Sequence, residues 1–476
     1  MYDVVVVGGG IIGGAILREL TRYRLKVCLI EKQSDVAMGQ SRANSGIVHA
    51  GFDAPVGSLK AKFNVLGNAM MENYAKELSV KFKRNGSLVV AFSAEDMVTL
   101  SELKARGEEN GVTDLKILDA DSLFELEPNI SKNALGALYA PTGGIVCPYK
   151  LTVAVVGNAM DNGADLYTNF EVSSISGKFG DFTISSQDGQ NVKTKIIINC
   201  AGIGCQKIAN LAGDYSFTIG GRKGEYILLD RECENFVKQT LFFTPSKKGK
   251  GILVSPTVDG NIILGPTAKE VDDANVLTSE EGLKEVQEKA SKMCENVPFG
   301  QTITSFAGTR AFCDRHDFII EESKSVSGLI NCAGIESPGL TSAPAIAKFV
   351  VEKLVSSRID LRFNTSFNGH REPTDFFNSL SIEQKNQLIK EKPEYGKIVC
   401  RCEKITEGEI IHAIKTNPPA TDIDAVKRRT RAGMGRCQGG FCQPQVAEII
   451  ARELGIPLEK VTKFGKGSYL LRGKTK

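Results

Sequence analysis

The run from Asp3 to Glu31 leaves the start of this chain few ways to fold. Asp3-Val-Val-Val-Val7 is an apolar strand that enters Gly8-Gly-Gly10-Ile-Ile-Gly13, and helical spacing begins at once. In such a turn the first glycine permits the reversal, the second lets backbone approach a pyrophosphate, and the third lets helix pack on strand. Gly8, Gly10 and Gly13 hold those positions. A diphosphate then sits at the helix N-terminus, where free N–H groups and the macrodipole favour negative charge. Lys26-Val-Cys-Leu-Ile30 reads as the next parallel strand and ends in Glu31, placed to accept hydrogen bonds from ribose hydroxyls. Strand, turn, helix, strand and acid in this order predict a bound adenine dinucleotide. The bland alternative is a glycine-rich turn that holds nothing.

The 476 residues can bury several cores, and a net charge of +3 gives no reason to expect a nucleic-acid partner. The basic tail after Glu459 (Lys460, Lys463, Lys466, Arg472, Lys474, Lys476) reads as a solvated end. No apolar run approaches the roughly 18 residues of a transmembrane helix, and no signal segment precedes the first strand. Eight of the 12 cysteines are scattered singly: Cys28, Cys147, Cys200, Cys205, Cys233, Cys294, Cys313 and Cys332. They read as buried thiols of a reducing compartment, so the expected location is cytoplasmic, with peripheral membrane contact as the other placement.

Alternating strand and helix signals predict an α/β fold. Its Rossmann-like nucleotide domain is discontinuous (residues 1–80, 145–210 and 325–355). An antiparallel-sheet substrate or cap domain interrupts it (81–144 and 211–324), and a polar linker with one helix follows (356–395). A small helical domain (396–476) completes the chain. The strand Lys195–Asn199 ends in Cys200-Ala-Gly202, a second backbone turn that can lie against a nucleotide. Leu329-Ile-Asn-Cys-Ala-Gly334 returns to that style, and Ser337-Pro-Gly-Leu-Thr-Ser342 then opens a helix.

Glu31 does not separate NAD from FAD, whereas two further segments favour FAD. The loop Ser41 to Gly51 is where an extended cofactor continues toward its reactive ring. The N–H groups of Gly334 to Ala345 can face a flavin that gains negative charge near N1 and the C2 oxygen on reduction. A nicotinamide needs no such site. The plain alternative for Ser337–Ala343 is an ordinary helix start with a proline near its first position.

Ser41-Arg-Ala-Asn-Ser-Gly-Ile-Val-His-Ala-Gly-Phe-Asp53 resembles the flavin loop of the D-amino-acid-oxidase-like superfamily. Within it the chain is similar to glycerol-3-phosphate oxidases and dehydrogenases through Gly249–Pro256, Gly265–Ala268, Ser305–Arg310, Asp317–Ile320 and Ser337–Pro344. L-2-hydroxyglutarate oxidases share nearly the same loop, the histidine and the arginine. One departure is Ala311-Phe312, where the family carries proline after the arginine. The resemblance implies cofactor contacts at Gly8, Gly10, Ile12, Gly13, Glu31, Lys32, Ser41, Asn44, Ser45 and Gly46. Further contacts are implied at Val172, Ala201, Gly202, Gly334, Gly339, Leu340 and Thr341.

Oxidising a secondary alcohol requires a base for the hydroxyl proton while hydride leaves for the flavin. An imidazole suits the task, and His49 lies in the flavin loop. The alternative is a histidine packed on the cofactor without proton transfer. Arg310 offers a planar fork for a phosphate or carboxylate, against a structural ion pair. The resemblance adds Lys250 as a second anion contact and Ser337 as a contact to substrate or flavin. His316 reads as a polar loop residue, and His370 and His412 receive no role.

Cys400-Arg-Cys402 and Cys437-Gln-Gly-Gly-Phe-Cys442 form a thiolate quartet in the helical tail, where Thr406 with Glu409 makes a capping box and Thr421 begins a second helix. Clustered cysteines in a reducing compartment bind metal more often than they pair. The spacing resembles the bacterioferritin-associated-ferredoxin-like domain, which implies a 2Fe–2S cluster on Cys400, Cys402, Cys437 and Cys442. Structural zinc and a redox-switch disulfide are the alternatives. A one-electron centre favours an FAD-dependent glycerol-3-phosphate dehydrogenase over an oxidase, with a small anionic alcohol as substrate. The resemblance also implies a separate FAD/NAD oxidoreductase subunit as electron-accepting partner. The rivals are a 2-hydroxy-acid dehydrogenase or oxidase, such as one for L-2-hydroxyglutarate, and a non-catalytic electron-transfer subunit.

Overall fold

The computed structural model describes residues 1–245, 251–271, 276–373 and 376–473. The strand Tyr2–Val7 pairs in parallel with Asn191–Asn199 on one side and Val27–Ile30 on the other. Asp165–Tyr167 continues the sheet beyond Val27–Ile30, and Leu329–Ala333 joins Asn191–Asn199, both in parallel. Val4 and Val6 belong to one apolar cluster while Val5 and Val7 belong to another on the opposite face. A strand that is apolar on both faces is what a doubly covered parallel sheet requires. The helices Ile11–Leu20, Pro148–Asp161 and Gly339–Phe349 cover the first of these faces.

The second sheet is mostly antiparallel. Its spine is Ile219–Leu229 against Thr302–Cys313, with Ile262–Gly265, Leu253–Pro256, Thr240–Phe243, Ser87–Ala91 and Gly136–Ala140 extending it. Thr240–Phe243 with Ser87–Ala91 is a parallel pair, which joins the two sequence-distant halves of this layer. Ile319–Glu322 differs from expectation. It pairs antiparallel with Leu329–Ala333 and so belongs to the nucleotide sheet.

The tail has the short strands Ile398–Cys400 and Ile405–Thr406, then the helices Glu407–Lys415, Ile423–Thr430 and Gln443–Leu454. The Thr406–Glu409 capping box forms. The second helix starts two residues after Thr421, because Asp422 accepts the Ala425 N–H at 2.7 Å and takes the cap. The tail has its own apolar cluster and is nonetheless docked through buried charge. Arg428 and Arg429 both pair with Asp35, in the loop after Glu31. Arg431 pairs with Asp259 of the second sheet and with Glu403 beside Cys402. Arg436 pairs with Asp230 and Glu232. Among the described residues no helix is long and apolar enough to cross a membrane.

Candidate active site

A cavity of about 810 Å³ lies between the two sheets. One end is walled by the glycine turn and Glu31. Gly8 adopts φ +111°, and a Cβ on Gly13 would overlap the Gly8 carbonyl, so the helix Ile11–Leu20 rises directly off the strand. The cap residue of that helix, Gly10, supplies no side-chain acceptor. The Ile11 N–H instead donates to Ser41 Oγ at 2.9 Å, from the loop that runs along the cavity. Glu31 accepts the Gly9 and Gln33 amides at 2.6 and 2.9 Å. Burial pushes its carboxyl pKa up, and those amides offset part of the rise.

His49 stands further along, with its backbone held on both sides. Its N–H donates to Thr341 Oγ1 at 3.0 Å, and its carbonyl accepts from Asn64 and Asn68 side chains at 2.7 and 3.0 Å. Nε2 lies 3.1 Å from the Ser337 hydroxyl, and the ring sits 5.9 Å from that of Phe242. Arg310 enters from the middle of Thr302–Cys313. Its Nη2 donates to the Thr267 carbonyl at 2.9 Å, while Nε is buried with no hydrogen-bond partner among the described residues. The residue lines the cavity, where a planar guanidinium suits an anion.

The cavity wall includes Gly8, Gly10, Ile12, Glu31, Lys32, Ser41, Asn44, Ser45, His49, Ala201, Gly202, Arg310, Ser337, Gly339 and Leu340. Five residues expected at the cofactor lie behind that wall. Val172 is a core residue of the nucleotide sheet. Gly13 packs helix on strand, Gly46 backs onto the Val146 carbonyl, and Gly334 packs against Cys313. Thr341 is fully buried and spends its hydroxyl on the His49 amide. Lys250 lies outside the described residues. His316 does sit in a loop, its carbonyl accepting from Lys60 at 3.1 Å.

Sequence reasoning missed several wall residues. Arg222 and Lys60 both pair with Glu336, next to Ser337. Arg222 faces Arg310 across the sheet, a register that the sequence does not show. Lys463, expected in a solvated tail, lies on the wall with Asp424 and Phe464.

Residues 3–353 match the model of the FAD dependent oxidoreductase family. The chain belongs to that family. A glycerol 3-phosphate dehydrogenase of Caloramator mitchellensis is 48% identical over 100% of this chain and 99% of its own. A glycerol 3-phosphate oxidase of Mycoplasma genitalium is 34% identical over 77% of this chain and 98% of its own. The FAD-bound, dithionite-reduced L-alpha-glycerophosphate oxidase of Mycoplasma pneumoniae superposes with a TM-score of 0.74 at 31% identity, covering 78% of this chain and 98% of that one. FAD fits the cavity: open N–H groups at a helix start, a carboxylate at the neighbouring strand end, and a second helix start at the far end.

Residues 398–452 match the BFD-like 2Fe-2S binding domain, so the tail binds a 2Fe–2S cluster. Its cysteines fall into two pairs. Cys402 and Cys437 place their sulfurs 3.8 Å apart near the surface. The buried Cys400 and Cys442 share a hydrogen bond that holds the Cys400 thiol down to about 6, with the Gly433 and Glu403 amides adding to the effect. The same contact pushes the Cys442 thiol well up. Two thiolate pairs suit a two-iron cluster, and amide donors aimed at sulfur stabilise it. Among the described residues no three ligating side chains gather around one point fit for a single ion. The eight scattered cysteines are free and buried.

Proposed function

We propose that the protein oxidises sn-glycerol 3-phosphate to dihydroxyacetone phosphate and hands the electrons to an acceptor other than dioxygen. One observation carries this reading: His49 and Arg310, which has no carboxylate partner among the described residues, share the cavity of a family whose members bind FAD. The bound flavin supplies the hydride acceptor, and the cluster supplies one-electron transfer. His49 Nε2 takes the hydroxyl proton, and the Ser337 hydroxyl, 3.1 Å from Nε2, orients the ring. The bonds from Thr341, Asn64 and Asn68 fix the backbone from which that imidazole projects. Arg310 offers its guanidinium to the phosphate from the cavity wall, and Lys250 adds a second anion contact.

The names of the dehydrogenase and oxidase relatives support the substrate. The cluster domain supports the acceptor, because reduced flavin can meet dioxygen without one. Cys402 and Cys437 near the surface suit approach by a protein acceptor such as an FAD/NAD oxidoreductase subunit. The test is anaerobic flavin bleaching with glycerol 3-phosphate and, separately, L-2-hydroxyglutarate. Bleaching by the first alone is expected. Bleaching by the second alone would move the substrate to a 2-hydroxy acid, and bleaching by neither would favour an electron relay. Hydrogen peroxide formed in air as fast as flavin is reduced would overturn the acceptor.

A further inference from the structure

The matched FAD domain ends at residue 353, yet the cavity wall includes Asp424 from the cluster domain and Lys463 and Phe464 from the tail that follows its matched residues 398–452. These three are built as a unit. Asp424 N–H donates to the Lys463 carbonyl at 2.8 Å, and Lys463 Nζ pairs with the Asp424 carboxylate at 3.2 Å. The Phe464 N–H donates to Ser468 Oγ at 2.9 Å, which fixes the turn that carries the ring. Phe464 is 48% exposed and joins none of the apolar clusters among the described residues, so packing does not explain a large ring at this place.

The position of the unit along the cavity is set by the loop after Glu31. Ser34 Oγ donates to the Asp422 carboxylate at 2.8 Å and lies 3.7 Å from Met38 Sδ, itself a wall residue. Gly465, at φ +98°, comes so close to Ser34 that a Cβ would stand 2.6 Å from the hydroxyl. Ala37 N–H donates to the Gly9 carbonyl at 2.9 Å, which ties the same loop to the glycine turn. The Asp424 charge also reaches Arg42 in the flavin loop. This is the end where the strand-terminal acid meets ribose and the helix start meets diphosphate.

We propose that the cluster domain is a wall of the FAD site, with Phe464 and Lys463 contacting the adenosine-diphosphate half of the cofactor. The ring gives apolar cover to the adenosine, and the ammonium, with Arg42, faces the phosphates. The family fold alone then leaves that edge open, and the tail closes it.

The test uses full-length protein with its cluster in place, stripped of flavin and titrated with FAD by fluorescence quenching. Phe464→Ala is expected to raise the FAD dissociation constant about tenfold, within the range for an aromatic ring lost from a base. The cluster absorbance and its thermal midpoint stay as in the parent, and Phe464→Tyr keeps near-parent affinity. A dissociation constant within twofold of the parent for Phe464→Ala would overturn the proposal. So would a loss of affinity matched by a lowered cluster midpoint, because that reports loosened packing. Should the alanine variant not fold, Phe464→Leu answers the same question through a smaller, few-fold loss.

Discussion

Replacing Asp35 by asparagine tests how the cluster domain is held. Asp35 is 3% exposed and accepts from Arg429 Nη1 and Nη2 at 2.8 Å each and from Arg428 Nε at 3.1 Å. Burial pushes its carboxyl up, but Arg429 and Arg428 pull harder, and it ends below its usual 3.8. A carboxyl depressed in the docked state contributes stability that is complete above its usual value and fades as pH falls through the depressed one. At pH 7 the full contribution is therefore present. Asparagine keeps the shape and strands two buried guanidinium charges, a change that costs about 3–5 kcal/mol. That lowers the docked-to-undocked ratio by roughly 10²- to 10⁴-fold. Limited proteolysis between the two matched domains reads this ratio, because cutting tracks the open population when opening is fast. The cutting rate should rise by that factor until the domain is fully undocked. Adding Arg428→Met to Asp35→Asn should cost less than the sum of the two single changes. A cutting rate within twofold of the parent at pH 7 would refute the claim that this cluster carries the docking.

Three more expectations follow from the site. His49→Ala should leave FAD bound but slow anaerobic flavin reduction by about 10²- to 10⁴-fold, and stopped-flow bleaching at the parent rate would remove the base role. Arg310→Ala should weaken glycerol 3-phosphate about 10- to 100-fold, the worth of hydrogen bonds to a charged group, and equilibrium titration giving an unchanged constant would take Arg310 out of the anion pocket. Cys402→Ser should abolish or reshape the cluster spectrum while flavin absorbance persists, and two irons per chain with an unaltered spectrum would exclude Cys402 as a ligand.

Local patterns were legible in the sequence, and contacts across it were not. The run from Asp3 to Glu31 carries its own signal because turn, helix start and strand end are neighbours in the chain. The same holds for the Thr406–Glu409 box and the cysteine quartet. Val172 shows the limit: a valine in a strand looks alike whether it lines a cavity or fills a core. Thr341 shows another, since a residue expected at the cofactor has its hydroxyl on the His49 amide, 292 positions away. Ile319–Glu322 was placed in the wrong layer because its partner strand follows a turn that resembles a domain boundary. Asp35 and Arg428 lie 393 positions apart, and nothing in either neighbourhood announces the other.

Ser41 has a consequence for the base. Its hydroxyl holds the start of the first helix, and it also begins the loop that ends in His49. The loop is thus anchored at one end to the diphosphate-binding turn and at the other to Thr341, Asn64 and Asn68. The imidazole is therefore held by hydrogen bonds made within the chain, at both ends of the loop that carries it.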